Sequence, residues 1–252
     1  MRIATTFLLP LLSLTILPAA PARGGWMAFG EPQTAAAGLT WLNRAADTRT
    51  VSATLRMDPG LAVPAVRAAA VATGSPRFRI DASGEFIVEV FVQLTARADA
   101  DMELRAGGKV LDGRLRAAPL RMYPGSKQQR TWPLSGVVRG GEEFELTSTY
   151  GEFLLVAARW TPREEFERAV APRLAARLKQ MAADPYFEGL RSGRAPRLRE
   201  LGDLALHSRQ PEIRREALLG AARGAYWKAA EDHEPRDLDR KSTRLNSSHI
   251  TI

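Results

Sequence analysis

The spacing of apolar residues in this chain changes once, near Trp160, and that change limits the fold more than any other feature. Before Trp160 the apolar residues alternate or come in short runs broken by glycine and proline; after it they recur every three or four residues. A period of two belongs to strands and a period near 3.6 to amphipathic helices. The spacing therefore predicts an antiparallel β-sandwich over residues 23–160, followed by an α-helical domain over 161–238.

The clearest strand is Phe86 to Leu94. Phe86, Val88, Val90, Val92 and Leu94 share one face, and Ile87, Glu89, Phe91 and Gln93 the other, which predicts a half-buried strand. The turn Asp81-Ala82-Ser83-Gly84 precedes it, and Arg77 to Ile80 reads as an earlier strand. Further strands are expected at Met102–Arg105, Val110–Leu115, Val137-Val138, Phe144–Thr147 and Phe153–Arg159. Gly107-Gly108 and Gly140-Gly141 supply turns, since glycine accepts positive φ without a Cβ clash. Many short strands so spaced suggest a sandwich. Ala65 to Ala72 reads as either a short helix or an irregular edge.

Thr161-Pro162-Arg163-Glu164 predicts the helix start. Threonine can cap free amides, proline suits the first helical position, and Glu164 can reach back to the cap. Phe166, Val170, Leu174, Leu178 and Met181 then form an apolar stripe interrupted by Pro172, which should kink the helix or divide it. Asp184-Pro185 ends it. Two more helices are expected, near Ala195–His207 and Pro211–Glu231. In the last, Ala217, Gly220, Ala221 and Gly224 either admit a close helix neighbour or merely weaken a surface helix.

Both ends need separate treatment. Arg2, the apolar run Phe7 to Leu17 and Ala20-Pro21-Ala22 follow the pattern of a secretory signal cleaved after Ala22, with an uncleaved anchor as the alternative. The run is shorter than the roughly 20 apolar residues a spanning helix needs, and no later segment qualifies. An exported protein is expected, periplasmic, cell-surface or extracellular, with no transmembrane segment in the mature chain. Asp239 to Ile252 resembles the translation of a short-read sequencing adapter. That resemblance implies a non-native tail from a metagenomic source and a natural C-terminus elsewhere; Asn246-Ser247-Ser248 and His249 are set aside with it.

The formal charge of +8 falls to +5 without Arg2, which removes one, and the tail, which removes two. The remainder is scattered, whereas a nucleic-acid binder would gather it on one face, so no nucleic-acid partner is expected. Arg191, Arg194, Arg197 and Arg199 read as a solvated helix face. The absence of cysteine excludes disulfides and thiolate metal sites.

Gly84 to Val90, Leu104 to Leu111, Trp132, Val138 to Leu146 and Phe153 to Val156 together resemble the strand order of the galactose-binding-like jelly roll of carbohydrate-binding modules. The resemblance covers about residues 83–160. It implies a non-catalytic domain binding a polysaccharide or oligosaccharide through aromatic rings and polar groups at one end or face. Candidate ligand-binding residues are Tyr123 and Trp132, which flank the polar loop 124–130, with Asp112 as an acceptor and Tyr150 as a further ring. Trp132 has core packing as its alternative, and Trp160 reads as a packing residue at the junction.

There is no H-E-x-x-H, G-x-S-x-G, P-loop or G-x-G-x-x-G pattern, and no metal or cofactor is expected. His207 reads as a helix-end residue satisfying the last carbonyls. Glu231-Asp232-His233-Glu234 is either a site for proton transfer or a metal, or a solvated helix end. Three readings follow: an exported binding module of a polysaccharide-active protein; a cell-surface or periplasmic structural protein making protein contacts; and a lyase or hydrolase whose site includes the His233 region.

Overall fold

A computed structural model describes residues 23–31, 38–53, 66–94, 101–116, 131–148, 152–183 and 194–231. The signal-like segment, the His233 region and the adapter-like tail lie outside them.

Two antiparallel sheets pack face to face. The first contains β1 (Gly25–Ala28), β3 (Thr50–Ser52), β4 (Ala68–Ala72), β6 (Glu85–Leu94), β9 (Thr131–Arg139) and β11 (Phe153–Pro162). Their order is β3-β4-β11-β6-β9, with β1 also on β11. The second runs β2 (Leu39–Trp41), β5 (Arg77–Ile80), β10 (Glu143–Ser148), β7 (Asp101–Ala106) and β8 (Lys109–Arg116). Between them lie Phe86, Val88, Val90 and Val92 from β6, facing Phe78, Ile80, Met102, Leu104, Phe144 and Leu146. Phe29, Trp41, Phe78 and Phe144 form a connected set of rings with centroids 5.4–6.0 Å apart, a spacing that favours offset and edge contacts.

The strands expected from alternation are present, most of them longer than their apolar signal. β9, for example, begins at Thr131 and so includes Trp132. Gly107 and Gly108 have φ of 53° and 75°, as a tight β7–β8 turn demands. Within the Ala65–Ala72 stretch, Ala68–Ala72 is neither helix nor irregular edge: it forms β4, paired with β3 on one side and β11 on the other. Alanine fits there because both faces of β4 are crowded, and Ala69 and Ala70 are fully buried.

β6 differs from the half-buried strand expected. Its second face, Ile87, Glu89, Phe91 and Gln93, is buried as well. Helices cover Ile87, while Phe91 joins an apolar cluster with Ala53, Val66, Leu154 and Val156. β11 is also central. A bulge at Val156 puts two β11 residues against one on β6 and reverses which residues face the core. Phe153 and Leu155 point inward before it, Ala158 and Trp160 after it. Trp160 is thus a core residue.

The predicted cap at Thr161 is not formed. β11 continues its ladder with β6 through Thr161 and Pro162, so Thr161 is a strand residue. Pro162, with φ −51° and ψ 140°, is the last extended position, and no side chain caps the helix. Helix α1 (Arg163–Glu165) therefore leaves a central strand without a loop, with Glu164 and Glu165 near its positive end.

Pro172 neither divides the helix nor leaves it regular. A π-helical turn, Phe166–Val170, intervenes before α2 (Ala171–Ala183), and Ala171 N–H donates to the Phe166 carbonyl. A proline cannot donate and its ring crowds the carbonyl four residues back; one wider turn accommodates both effects.

Helices α3 (Arg194–Ala205) and α4 (Pro211–Glu231) complete the layer. Phe166, Leu174, Leu178 and Met181 pack with Leu201, Leu204, Ile213 and Ala217, and this cluster includes Ile87 and Val137 on the outer face of the first sheet. Helices and sandwich thus share an apolar interface. Gly220 permits the close approach expected of it: a Cβ there would lie 2.5 Å from Leu178 Cδ2.

Gly220→Val should therefore lower stability by about 1–3 kcal/mol through overpacking, measured by urea unfolding. Glu89, itself buried, carries the counter-charge for the largely covered Arg159 at 2.5 Å. Glu89→Ala should cost about 3–5 kcal/mol because it strands that guanidinium; a loss below 1 kcal/mol would show that Arg159 finds water instead.

Candidate functional site

The two ends of the sandwich are built differently. At one, the β5–β6 and β9–β10 connections are tight, and Gly140 and Gly141 donate to the Gly84 and Ile80 carbonyls at 2.8 and 2.9 Å. At the other, the registers bring together six strand ends. Leu94 opposes Phe153, Thr131 opposes Gln93, Met102 opposes Ser148 and Asp101 opposes Arg116. Every link between these ends, 95–100, 117–130 and 149–152, passes from one sheet to the other.

The predicted site residues relate to this end as follows. Tyr123 falls within 117–130 and Tyr150 within 149–151, both outside the described residues, so the chain segments carrying them start and finish at the same end. Trp132 is the second residue of β9, in register with Val92. The polar groups described there are Gln93, whose Nε2 donates to Thr131 Oγ1 at 2.8 Å, and the exposed pair Arg49–Glu152 at 2.9 Å.

Asp112 is not at this end. It sits midway along β8, 4% exposed, and its Oδ2 accepts the Ser135 N–H at 2.8 Å. β8 and β9 are edge strands of different sheets, so this bond satisfies an edge amide that would otherwise need solvent or another strand.

Ser135 opens a polar row that sequence reading missed. In register across the outer face of the first sheet stand Ser135 on β9, Glu89 on β6, Arg159 on β11 and Trp26 on β1. Ser135 Oγ lies 2.9 Å from His207 Nε2, so the histidine ring reaches the sheet, a contact not foreseen when it was read as satisfying helix carbonyls. Burial disfavours the Arg159 charge, but Glu89 outweighs that effect and holds the guanidinium protonated. The row separates the helix-covered part of the face from the apolar cluster around Phe91. Its only sequence signal is Glu89 and Gln93 alternating with Ile87 and Phe91, a pattern equally expected of a solvated face.

A serine hydroxyl beside an imidazole has the spacing of a nucleophile and its base. Here Ser135 is 4% exposed and its N–H is committed to Asp112, so the contact has neither room for a tetrahedral centre nor that N–H to stabilise one. It acts as a strut between the connection that follows α3 and β9. Among the described residues, no cluster of three or more His, Asp or Glu side chains is placed to hold a metal, and no helix is long and apolar enough to cross a membrane.

No protein-family model and no curated protein sequence matches the chain. Among solved structures, it is similar to the Bacteroides uniformis β-glucuronidase, with a TM-score of 0.36 and 12% identity over 55% of this chain. The match spans only 18% of that enzyme's length. The xylan-binding domain CBM22-1 of Paenibacillus barcinonensis Xyn10C gives a TM-score of 0.30 and 16% identity, covering 56% of this chain and 96% of that one. Carbohydrate-binding module CBM6cm-2 of Cellvibrio mixtus lichenase 5A, in complex with cellotriose, gives 0.28 and 15%, covering 47% and 89%. Likenesses of this size establish neither fold nor activity; the sandwich is defined by its own strand pairings.

Asp112→Ala should destabilise by about 1–3 kcal/mol, the cost of an unsatisfied buried amide, whereas Asp112→Asn, which keeps an acceptor oxygen, should lose much less. If Asp112→Ala unfolds like the parent, the edge amide has another acceptor and Asp112 returns as a ligand group.

Proposed function

We propose that this chain is an exported carbohydrate-binding module of jelly-roll type, belonging to a larger polysaccharide-active protein, with its ligand site at the Leu94–Arg116–Ser148 end of the sandwich. The supporting observation is the gathering of six strand ends there, since the segment carrying Tyr123 leads into β9 and the one carrying Tyr150 runs between the ends of β10 and β11. Aromatic rings suit sugars because the C–H face of a pyranose stacks on a π surface while its hydroxyls take polar partners. The other surfaces serve this purpose poorly. The outer face of the first sheet is largely covered by the helices and the Phe91 cluster. That of the second carries the ion pairs Arg77–Glu143, Arg79–Asp81 and Arg105–Glu103. Tyr123 and Tyr150 are the proposed stacking rings, with Trp132 as a further ring; Asp112, which accepts the Ser135 N–H midway along β8, is left out of the proposed site.

A second reading, a surface protein that binds other proteins, is favoured by α4, where the consecutive Leu218 and Leu219 are 59% and 45% exposed.

Retention on insoluble xylan, cellulose and chitin, and on soluble β-glucans in affinity gels, separates the two. The sugar reading expects retention of the parent, loss in Tyr123→Ala, and unchanged melting temperature in that variant. Trp132→Ala decides the role of that ring: lost retention with intact stability makes it a ligand platform, and a large drop in melting temperature makes it core. A folded parent that no glycan retains overturns the sugar reading.

A further inference from the structure

The connection between α3 and α4, residues 206–210, is tied down chiefly by one carboxylate. Glu167, in the π-helical turn, accepts from Ser208 Oγ at 2.7 Å, from the Arg209 N–H at 2.7 Å and from Arg163 Nε at 3.3 Å. Its backbone carbonyl accepts from Gln210 Nε2 at 3.0 Å. A second carboxylate, Glu85 at the start of β6, holds Arg209 Nη2 at 2.6 Å. A further polar tie among the described residues is His207 to Ser135, and a serine hydroxyl can donate to a neutral imidazole or accept from a charged one, so that bond tolerates acid.

We propose that Glu167 is an acid-sensitive latch: its protonation releases the 206–210 connection and lets the α3–α4 hairpin lift from the outer face of the first sheet while the sandwich stays folded. The two units are held by different forces. The sandwich core is the larger apolar cluster, across both sheets, whereas the hairpin packs in a smaller one on Phe166, Leu174, Leu178 and Met181 and meets the sheet itself only through residues such as Ile87 and Val137, so its attachment leans more on its polar ties. A neutral Glu167 is a poorer acceptor for three donors and no longer pairs with Arg163. The charged groups around it are Arg163 on its own helix, Arg209 and His207 from the connection, and Glu85 from β6, itself engaged by Arg209.

The electrostatics agree in direction. Burial opposes the Glu167 charge, yet the bonds from Ser208 and the Arg209 N–H, with Arg163, outweigh it and hold the carboxyl below its usual range. A carboxyl depressed on folding contributes stability above its unfolded value, near 4.3, and loses it as pH falls through the folded value. Asp81 is depressed similarly, burial being outweighed by Thr40 and Arg79, but it belongs to the sandwich.

Hydrogen exchange of the whole chain between pH 7 and pH 3, corrected for intrinsic rates, tests this. The expected result is at least tenfold loss of protection in α3 and α4 at a pH where β6 and β11 remain protected. Glu167→Gln should show the loosened hairpin already at pH 7 with little further response. Ser208→Ala, which leaves the carboxylate in place, should raise the pH of release, and Asp81→Asn should leave it unchanged. The latch is overturned if helices and strands lose protection together in the parent, or if Glu167→Gln or Ser208→Ala opens with the parent's pH dependence.

Discussion

The pairing of β6 with β11 runs through the centre of the first sheet with both faces buried, and the rest of the structure depends on it. Their inner faces supply most of that sheet's contribution to the sandwich core, and their outer faces receive helices at one end and an apolar cluster at the other. The Glu89–Arg159 pair crosses between the same two strands. Charges so buried are tolerable only when paired, and this pair lies where the two apolar coverings meet. β11 then runs straight into α1, so the start of the helices is set by a strand paired on both sides.

That arrangement also separates the roles of the surfaces. Tight glycine turns close one end, helices cover much of one face, and ion pairs line the opposite face. What remains is the end where the links 95–100, 117–130 and 149–152, together with 42–49 and 73–76, cross between the sheets. A sandwich places its longer connections where a rigid frame can present them, and sugar recognition is proposed there for that reason. His207 and Glu167 belong instead to the helix–sheet boundary, where their bonds govern how firmly the two parts are joined.

Much of the sandwich was legible from alternation. Phe86 to Leu94, Arg77 to Ile80 and Phe144 to Thr147 announced their strands because each sets apolar side chains at period two. β1 to β3 did not, and Ala65 to Ala72 did not because alanine favours helix and is depleted in strands, so its place in β4 was set by crowding from both neighbours. Thr161 and Pro162 form a sound local helix start, yet the ladder with Ile87 and Phe86 claimed both residues for β11. Pro172 announced a disturbance correctly, and its form, a π-helical turn, depended on the carbonyls around it. Among the site residues, Asp112 was found for its chemistry, while the bond that occupies it joins residues 23 positions apart and leaves no mark on local pattern.

The sequence by itself determined the class of each segment, β before Trp160 and α after it, because periodicity and turn residues are local properties. It determined too that no disulfide holds the core. Only tertiary structure decided that the second face of β6 is interior, that Ser135 meets both His207 and Asp112, and that the ends of β6, β8 and β10 and the starts of β7, β9 and β11 lie at one end of the sandwich. Each of those depends on which strands become neighbours and in what register, a choice made by the packing of the whole chain and not by the residues on either side.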